Sequence, residues 1–365
     1  MISFKLTEEQ EIVRDALHEF AAQVIRPIAR ESDEASEVPA GFLEQAWELG
    51  LVSTAIPETY GGGGEERSPV TNALVGEELA WGDATLAAAA LAPAAFAFAV
   101  LDQGSDDQKR ELLPLFCGPK FHAASLAWIE PGPAFEPLLP RMLAEPKGKE
   151  AFVLSGAKSF VPFGDRASHF LVVCRNNGGH DAFVVPRDAD GLTISEPEKN
   201  LGLRALPTAT LELERVELPA SARLGGDAGC DVRRLLDHSR AALAAAMTGL
   251  SRAVVEYAIP YAKEREAFDQ AIAQKQGIAF KLAEMHIETE AMRWLTWKAA
   301  SQLEQRLDAR RSAHHARAYA AQQCMFVADE GVQVLGGHGF IREHPVEMWY
   351  RNARTLGVLE GTLSL

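Results

Sequence analysis

The chain has 365 residues, 47% of them apolar and 24% charged, the balance of a soluble globular protein long enough for two or three cores. Its 51 acidic and 36 basic side chains leave a net charge of −15, which repels phosphate backbones and anionic lipid, so nucleic acid and membrane surfaces are set aside as partners. Four scattered cysteines, Cys117, Cys174, Cys230 and Cys324, have no paired spacing for zinc and read as reduced thiols of a cytoplasmic protein.

Thr7 with Gln10 three residues on predicts a capped helix start, and Ile12, Val13, Leu17, Phe20 and Val24 continue it at helical spacing to about Pro27. Phe42, Leu43, Ala46, Trp47 and Leu49 mark a second helix. The run from Pro57 to Glu66 contains four successive glycines and must be a loop; with no Lys-Ser or Lys-Thr behind it, it is not a P-loop. Helical spacing returns from Val70 to Leu101. Within it, Ala84 to Leu101 is uncharged but rich in alanine and interrupted by Pro93, which predicts a buried helix and not a membrane span.

From about residue 123 to 224 the period falls from 3.6 to 2. Runs 152–154, 170–174, 183–185 and 192–194 predict strands, Asn176 to Gly179 a hairpin turn, and the alternation around Leu211 and Leu213 a strand with one wet face. Past Asp231 the helical period persists, broken near Asp269–Ala271 and around Asp308, and four long helices fit. The expected fold is α+β: an N-terminal helical domain over residues 1–122, a central antiparallel β-barrel or sandwich over 123–225, and a C-terminal four-helix bundle over 226–365.

The richest stretch is the last. Gln333, Gly336, Gly337, Gly339 and Phe340 lead to Pro345-Val346-Glu347, then Arg351-Asn352-Ala353, then Glu360-Gly361-Thr362. Glycines admit close backbone approach by a bound group. A carboxylate between apolar Val358 and Leu359 and a glycine turn is the residue type that abstracts a proton beside a carbonyl.

This ordered set resembles the C-terminal signature of the acyl-CoA dehydrogenase family. The resemblance extends to Glu77-Glu78-Leu79, Leu201-Gly202-Leu203-Arg204, and Arg265-Glu266-Ala267-Phe268 followed by Gln276, although Asp269 replaces a usual glycine. It implies FAD-dependent α,β-dehydrogenation of an acyl-CoA thioester, with Glu360 as the catalytic base. The family's other base position falls on Ser239, which has no carboxylate. The resemblance further implies FAD contacts from Arg265, which in the family reaches the cofactor pyrophosphate of a neighbouring subunit, from Phe268, Gln276, Gln333, Gly336, Gly337 and Thr362, and from Trp128, Ile129, Phe160 and Pro162 of the β domain. Substrate contacts would come from Asp237, Arg240, Phe135, Leu359 and Gly361.

Three flavin-side positions depart from the family pattern. Ile129 stands where a threonine is usual, Phe135 where a serine is, and Pro162 where a threonine or serine is, so two donors expected near the reactive ring edge are missing. Each such bond is worth about 0.5–1.5 kcal/mol. Implied partners are an acyl-CoA substrate, an electron-transfer flavoprotein or similar acceptor, and further copies of this chain or a related one, as a homotetramer or dimer or a hetero-oligomer. Two alternatives follow from the departures: a subunit sharing its flavin site with a partner chain, or a non-catalytic relative that binds acyl-CoA.

Overall fold

A computed structural model describes residues 5–133, 135–176 and 179–365. The first helix is capped as its sequence predicts: the Gln10 amide donates to Thr7 Oγ1 at 3.2 Å, and the Thr7 amide to Gln10 Oε1 at 3.1 Å. Helix α1 (Glu8–Phe20) passes through a π-helical turn, Ala21–Ile25, into α2 (Arg26–Ala35). The expected stop at Pro27 is not found. Pro27 lies in the first turn of α2, and the widened turn, in which the Arg26 amide reaches back to the Ala21 carbonyl, absorbs its missing N–H.

Helix α3 (Phe42–Trp47) precedes the predicted loop, Pro57 to Glu66, within which Glu58–Tyr60 form a short 3₁₀ turn ahead of the glycines. The helical stretch after it is two helices, α4 (Pro69–Gly82) and α5 (Ala84–Gln103), because Asp83 caps the second: the amides of Thr85 and Leu86 each donate to its Oδ1 at 2.9 Å. Pro93 sits inside α5 without ending it. α5 is apolar and long enough to cross a membrane, yet 89% of its most apolar window is buried within the fold. Helix α6 (Asp106–Leu112) closes this region.

Seven strands follow: β1 (Ser125–Ala127), β2 (Leu143–Lys147), β3 (Ala151–Pro162), β4 (His169–Asn176), β5 (Gly179–Pro186), β6 (Leu192–Ile194) and β7 (Thr208–Pro219). They form one sheet in the order β1-β4-β2-β3-β7-β6, with β5 also on β4. This departs from the expected antiparallel barrel or sandwich. The sheet is mixed, since β1 and β2 each pair with β4 in parallel, and it is open, ending on three-residue strands too short to close it. Of the predicted hairpin turn, Asn177 and Gly178 lie outside the described residues; Asn176 and Gly179 face each other across β4 and β5.

The wet face of β7 is as expected. Leu211, Leu213, Val216 and Leu218 are buried while Glu212, Glu214 and Glu217 are exposed. Arg215, at φ 52°, supplies the extra residue that returns Val216 to the inner face.

The C-terminal part holds three long helices and one short: α7 (Val232–Glu264), α8 (Gln276–Glu304), α9 (Arg310–Leu335) and α10 (Val346–Leu356). A small hairpin, β8 (Glu266–Ala267) and β9 (Gln270–Ala271), separates α7 from α8. The alanine-rich middle of α7 is buried among α4, α8 and α9. At their crossing, a Cβ on Gly249 would meet the Glu77 carbonyl at 2.1 Å, so only glycine lets α4 approach. Charge then locks the packing: Arg293 Nη2 donates to Glu77 at 2.6 Å, and Arg252 reaches both Glu77 and Glu78.

The β domain docks on α10. The amides of Gly202 and Leu203 donate to Thr355 Oγ1 and Asn352 Oδ1 at 3.0 and 2.8 Å, while Arg351 forks onto Asp33 of α2 at 2.9 and 2.6 Å. With α10 held on both sides, the chain that leaves it is aimed at α7.

Candidate active site

Beyond α10 the chain turns at Glu360-Gly361-Thr362 beneath the β domain. Gly361 adopts φ +75°, and a Cβ there would lie 2.5 Å from Cβ of Trp128. The glycine is needed twice over, for its backbone angle and for contact with the tryptophan. Trp128 is itself buried, its indole N–H donating to the Pro137 carbonyl at 2.9 Å.

The Glu360 side chain keeps 14% of its exposure and lies 3.4 Å, Oε2 to Nε, from Arg240 on α7. The apolar surroundings read from Val358 and Leu359 are half of the picture: Leu359 is buried and Val358 is on the surface, and a cation faces the carboxylate. Asp237, one turn earlier on α7, is 7% exposed, and burial pushes its carboxyl up to about 6. Ser239 is fully buried, and its Oγ accepts the amide of Gly361 at 2.9 Å. The structure thus gathers Glu360, Gly361, Thr362, Leu359, Asp237, Arg240 and Trp128 around one turn, while Phe135 is half-buried against the core.

The other expected cofactor residues fall into a second, exposed group. Arg265 and Phe268 stand at the end of α7 and in the hairpin, and Gln276 opens α8; all three are exposed, Phe268 by 89%. Gln333, Gly336 and Gly337, at the end of α9, are exposed as well. The two segments meet through Tyr261, whose hydroxyl lies 3.3 Å from the Leu335 carbonyl and 2.9 Å from His338 Nδ1. Gly339 plays a different part from the glycine pair: its Cβ would strike the Val332 carbonyl at 2.3 Å, so it serves the chain's own packing.

The residues present fit FAD at its phosphate end. Nothing lies within 4 Å of where Cβ atoms of Gly336 and Gly337 would stand, which leaves their backbone open to a ligand, and Arg265 has a free approach for a planar fork on phosphate. On the ring side, Phe160 is half-buried at φ 54°, and Ile129 and Pro162 are buried without side-chain donors. Their carbonyls are already used, by the Ser159 amide at 2.8 Å and the Ser125 hydroxyl at 2.5 Å.

One functional candidate was missed in the sequence. Arg317 on α9 is buried, and its Nη2 lies 3.3, 3.1 and 2.7 Å from the carbonyls of Leu356, Gly357 and Leu359, directly before Glu360. Its signal was a lone cation on the small-residue face formed by Ala313, Ala316, Ala320 and Cys324.

Comparison with known proteins identifies the family. The family descriptions "Acyl-CoA dehydrogenase, N-terminal domain", "middle domain" and "C-terminal domain" match residues 7–118, 125–216 and 230–364. The chain is 32% identical to the probable acyl-CoA dehydrogenase YngJ of Bacillus subtilis, over 99% of this chain and 96% of that one. It is 30% identical to the mitochondrial short-chain specific acyl-CoA dehydrogenase of Bos taurus, over 99% and 88%. Among solved structures, the butyryl-CoA dehydrogenase from Megasphaera elsdenii superposes with a TM-score of 0.89 at 27% identity, covering 99% of this chain and 96% of that one. With all three parts matched in order and relatives aligned from end to end, this chain belongs to the acyl-CoA dehydrogenase family.

Proposed function

We propose that this chain dehydrogenates an acyl-CoA thioester between Cα and Cβ, with FAD as cofactor and Glu360 as base. The observation that carries it is the placement of Glu360: a mostly buried carboxylate, 3.4 Å from Arg240, on a turn braced by Gly361 against Trp128. Charge at such a site is stabilised by a nearby cation rather than by water. Relatives that are acyl-CoA dehydrogenases along their whole length favour this over a purely binding or shared-site role.

In this reading Glu360 takes the α-proton on a carboxylate oxygen, and the Cα–Cβ bond gains the electron pair left behind. FAD, when bound, accepts the β-hydrogen as hydride. Trp128, Phe160 and Thr362 would hold the cofactor's ring, and Arg265, with Gln276, Gln333, Gly336 and Gly337 in the same exposed group, would hold the phosphate and nucleotide end of the cofactor bound by a neighbouring copy of the chain. Asp237 and Arg240 would line the path of the thioester's pantetheine arm. The electron acceptor downstream would be an electron-transfer flavoprotein or a similar protein.

The test is purification of the full chain, a visible spectrum, and a panel of acyl-CoAs with an artificial electron acceptor. A bound flavin bleached by one or more acyl-CoAs supports the reading. A flavin-loaded protein bleached by none of them defeats it.

A further inference from the structure

The turn that carries Glu360 has no regular structure of its own, because residues after α10 run as irregular chain. Something else must fix a base that works only in the right geometry. Two buried side chains from neighbouring helices bracket it. From α9, Arg317 Nη2 gathers the carbonyls of Leu356, Gly357 and Leu359 at 3.3, 3.1 and 2.7 Å. Those of Leu356 and Gly357 close α10, where carbonyls lack helical partners and a cation is favoured, and that of Leu359 lies in the turn itself. From α7, Ser239 Oγ accepts the Gly361 amide at 2.9 Å. The residue before Glu360 is therefore held by its carbonyl and the residue after it by its amide.

Arg317 is an expensive way to hold three carbonyls. It is 6% exposed, its Nε has no partner, and among the described residues no carboxylate forms an ion pair with it. Burial lowers its affinity for a proton, and the carboxylate whose charge offsets this is Glu360. A neutral donor would hold the carbonyls at less cost in desolvation. The charged groups facing the turn are Arg240 from α7 and Arg317 from α9, with Asp237 acting on Arg240 and Cys324 on Arg317; the β-domain neighbour, Trp128, does not titrate.

We propose that Arg317 is a positioning residue for the base: it fixes the Glu360 turn through backbone carbonyls and supplies a second positive charge beneath the carboxylate, with Ser239 as its counterpart on the other side. This rests on the reading of Glu360 as the base.

The experiment uses the flavin-loaded full chain with Arg317→Met, Arg317→Lys, Ser239→Ala and Ser239→Thr. Two quantities are read: hydrogen exchange of segment 356–362 by mass spectrometry, and the rate of flavin reduction by an acyl-CoA across pH. For Arg317→Met, exchange of that segment quickens while other helices are unchanged. Flavin reduction at saturating thioester slows about 10-fold to 100-fold with little change in KM, and its acid limb moves to higher pH. Arg317→Lys keeps the charge, so the limb stays in place and part of the rate returns. Ser239→Ala slows reduction about 10-fold, and Ser239→Thr restores it.

If Arg317→Met does not fold, the lysine and Ser239 variants carry the test. Wild-type rate, pH limb and segment exchange in Arg317→Met, or in Arg317→Lys and Ser239→Ala where it does not fold, would overturn the proposal. Segment exchange responds to the clamp even if Glu360→Gln proves active, so failure of the base assignment is told apart from failure of the clamp.

Discussion

Arg240 Nε lies 3.4 Å from Glu360 Oε2, joining the first third of the longest helix to a turn 120 residues further along the chain. Both side chains are 14% exposed, so this pair is screened less than a surface ion pair. Replacing Arg240 by methionine leaves the carboxylate without its nearest cation while keeping the side-chain bulk. We expect flavin reduction to slow about 10-fold to 100-fold, the equivalent of losing one hydrogen bond to a charged group, about 1.5–3 kcal/mol. Stopped-flow absorbance of the flavin-loaded variant checks it; a rate within about twofold of wild type would remove Arg240 from the account.

Gly361 should tolerate no side chain. Alanine there meets Trp128 Cβ at 2.5 Å and must hold φ +75°. Strain of this kind costs about 1–3 kcal/mol. Gly361→Ala is expected to lower the melting temperature and to slow flavin reduction further than Arg240→Met, since it displaces the base itself. A variant of unchanged melting temperature and rate would show that the turn is less constrained than its contacts imply.

Asp83 gives a pH-dependent stability. Burial pushes its carboxyl up to about 6, above an unfolded value near 3.8. The folded chain therefore keeps a proton that the unfolded chain has released between these values, and stability from this group falls as pH rises through about 4 to 6. Asp83→Asn, which retains an oxygen for the Thr85 and Leu86 amides, is expected to gain on wild type as pH passes 6 and to lose that gain below 4. Urea unfolding at pH 4 and pH 7.5 measures the difference; the opposite trend would reject the assignment.

Arg265 is the clearest test of the cofactor's phosphate end. A hydrogen bond to a charged group contributes about 1.5–3 kcal/mol, so Arg265→Ala should weaken FAD retention about 10-fold to 100-fold. The rate of reduction per bound flavin should stay near wild type, because Arg265 is remote from the Glu360 turn. Titration of the flavin-free protein with FAD separates the two quantities, and undiminished affinity would place the phosphates elsewhere.

Local periodicity made most of the fold legible. The Thr7 cap, α5 and the alternation of β7 are fixed by neighbours in sequence, and each was read correctly. Closure of the sheet was not, because β1 and β2 find their parallel partner β4 over long chain separations that leave no mark in three- and five-residue strands. The same distinction holds at the site. Glu360 and Gly361 stood out through ordered spacing, whereas Arg317 acts on carbonyls about 40 residues away, and Ser239 on an amide 122 residues away. Nothing local announces such contacts. Even Glu360 looked purely apolar in its setting until α7 brought Arg240 opposite it.

Whether Glu360 is the base is decided by reduction of the bound flavin by an acyl-CoA in Glu360→Gln. The variant keeps the size of the side chain and removes only its ability to take a proton. With FAD bound at wild-type stoichiometry, reduction is expected to slow on the order of 100-fold to 10,000-fold, the range supplied by a positioned base. Bleaching at the wild-type rate would contradict the assignment of Glu360.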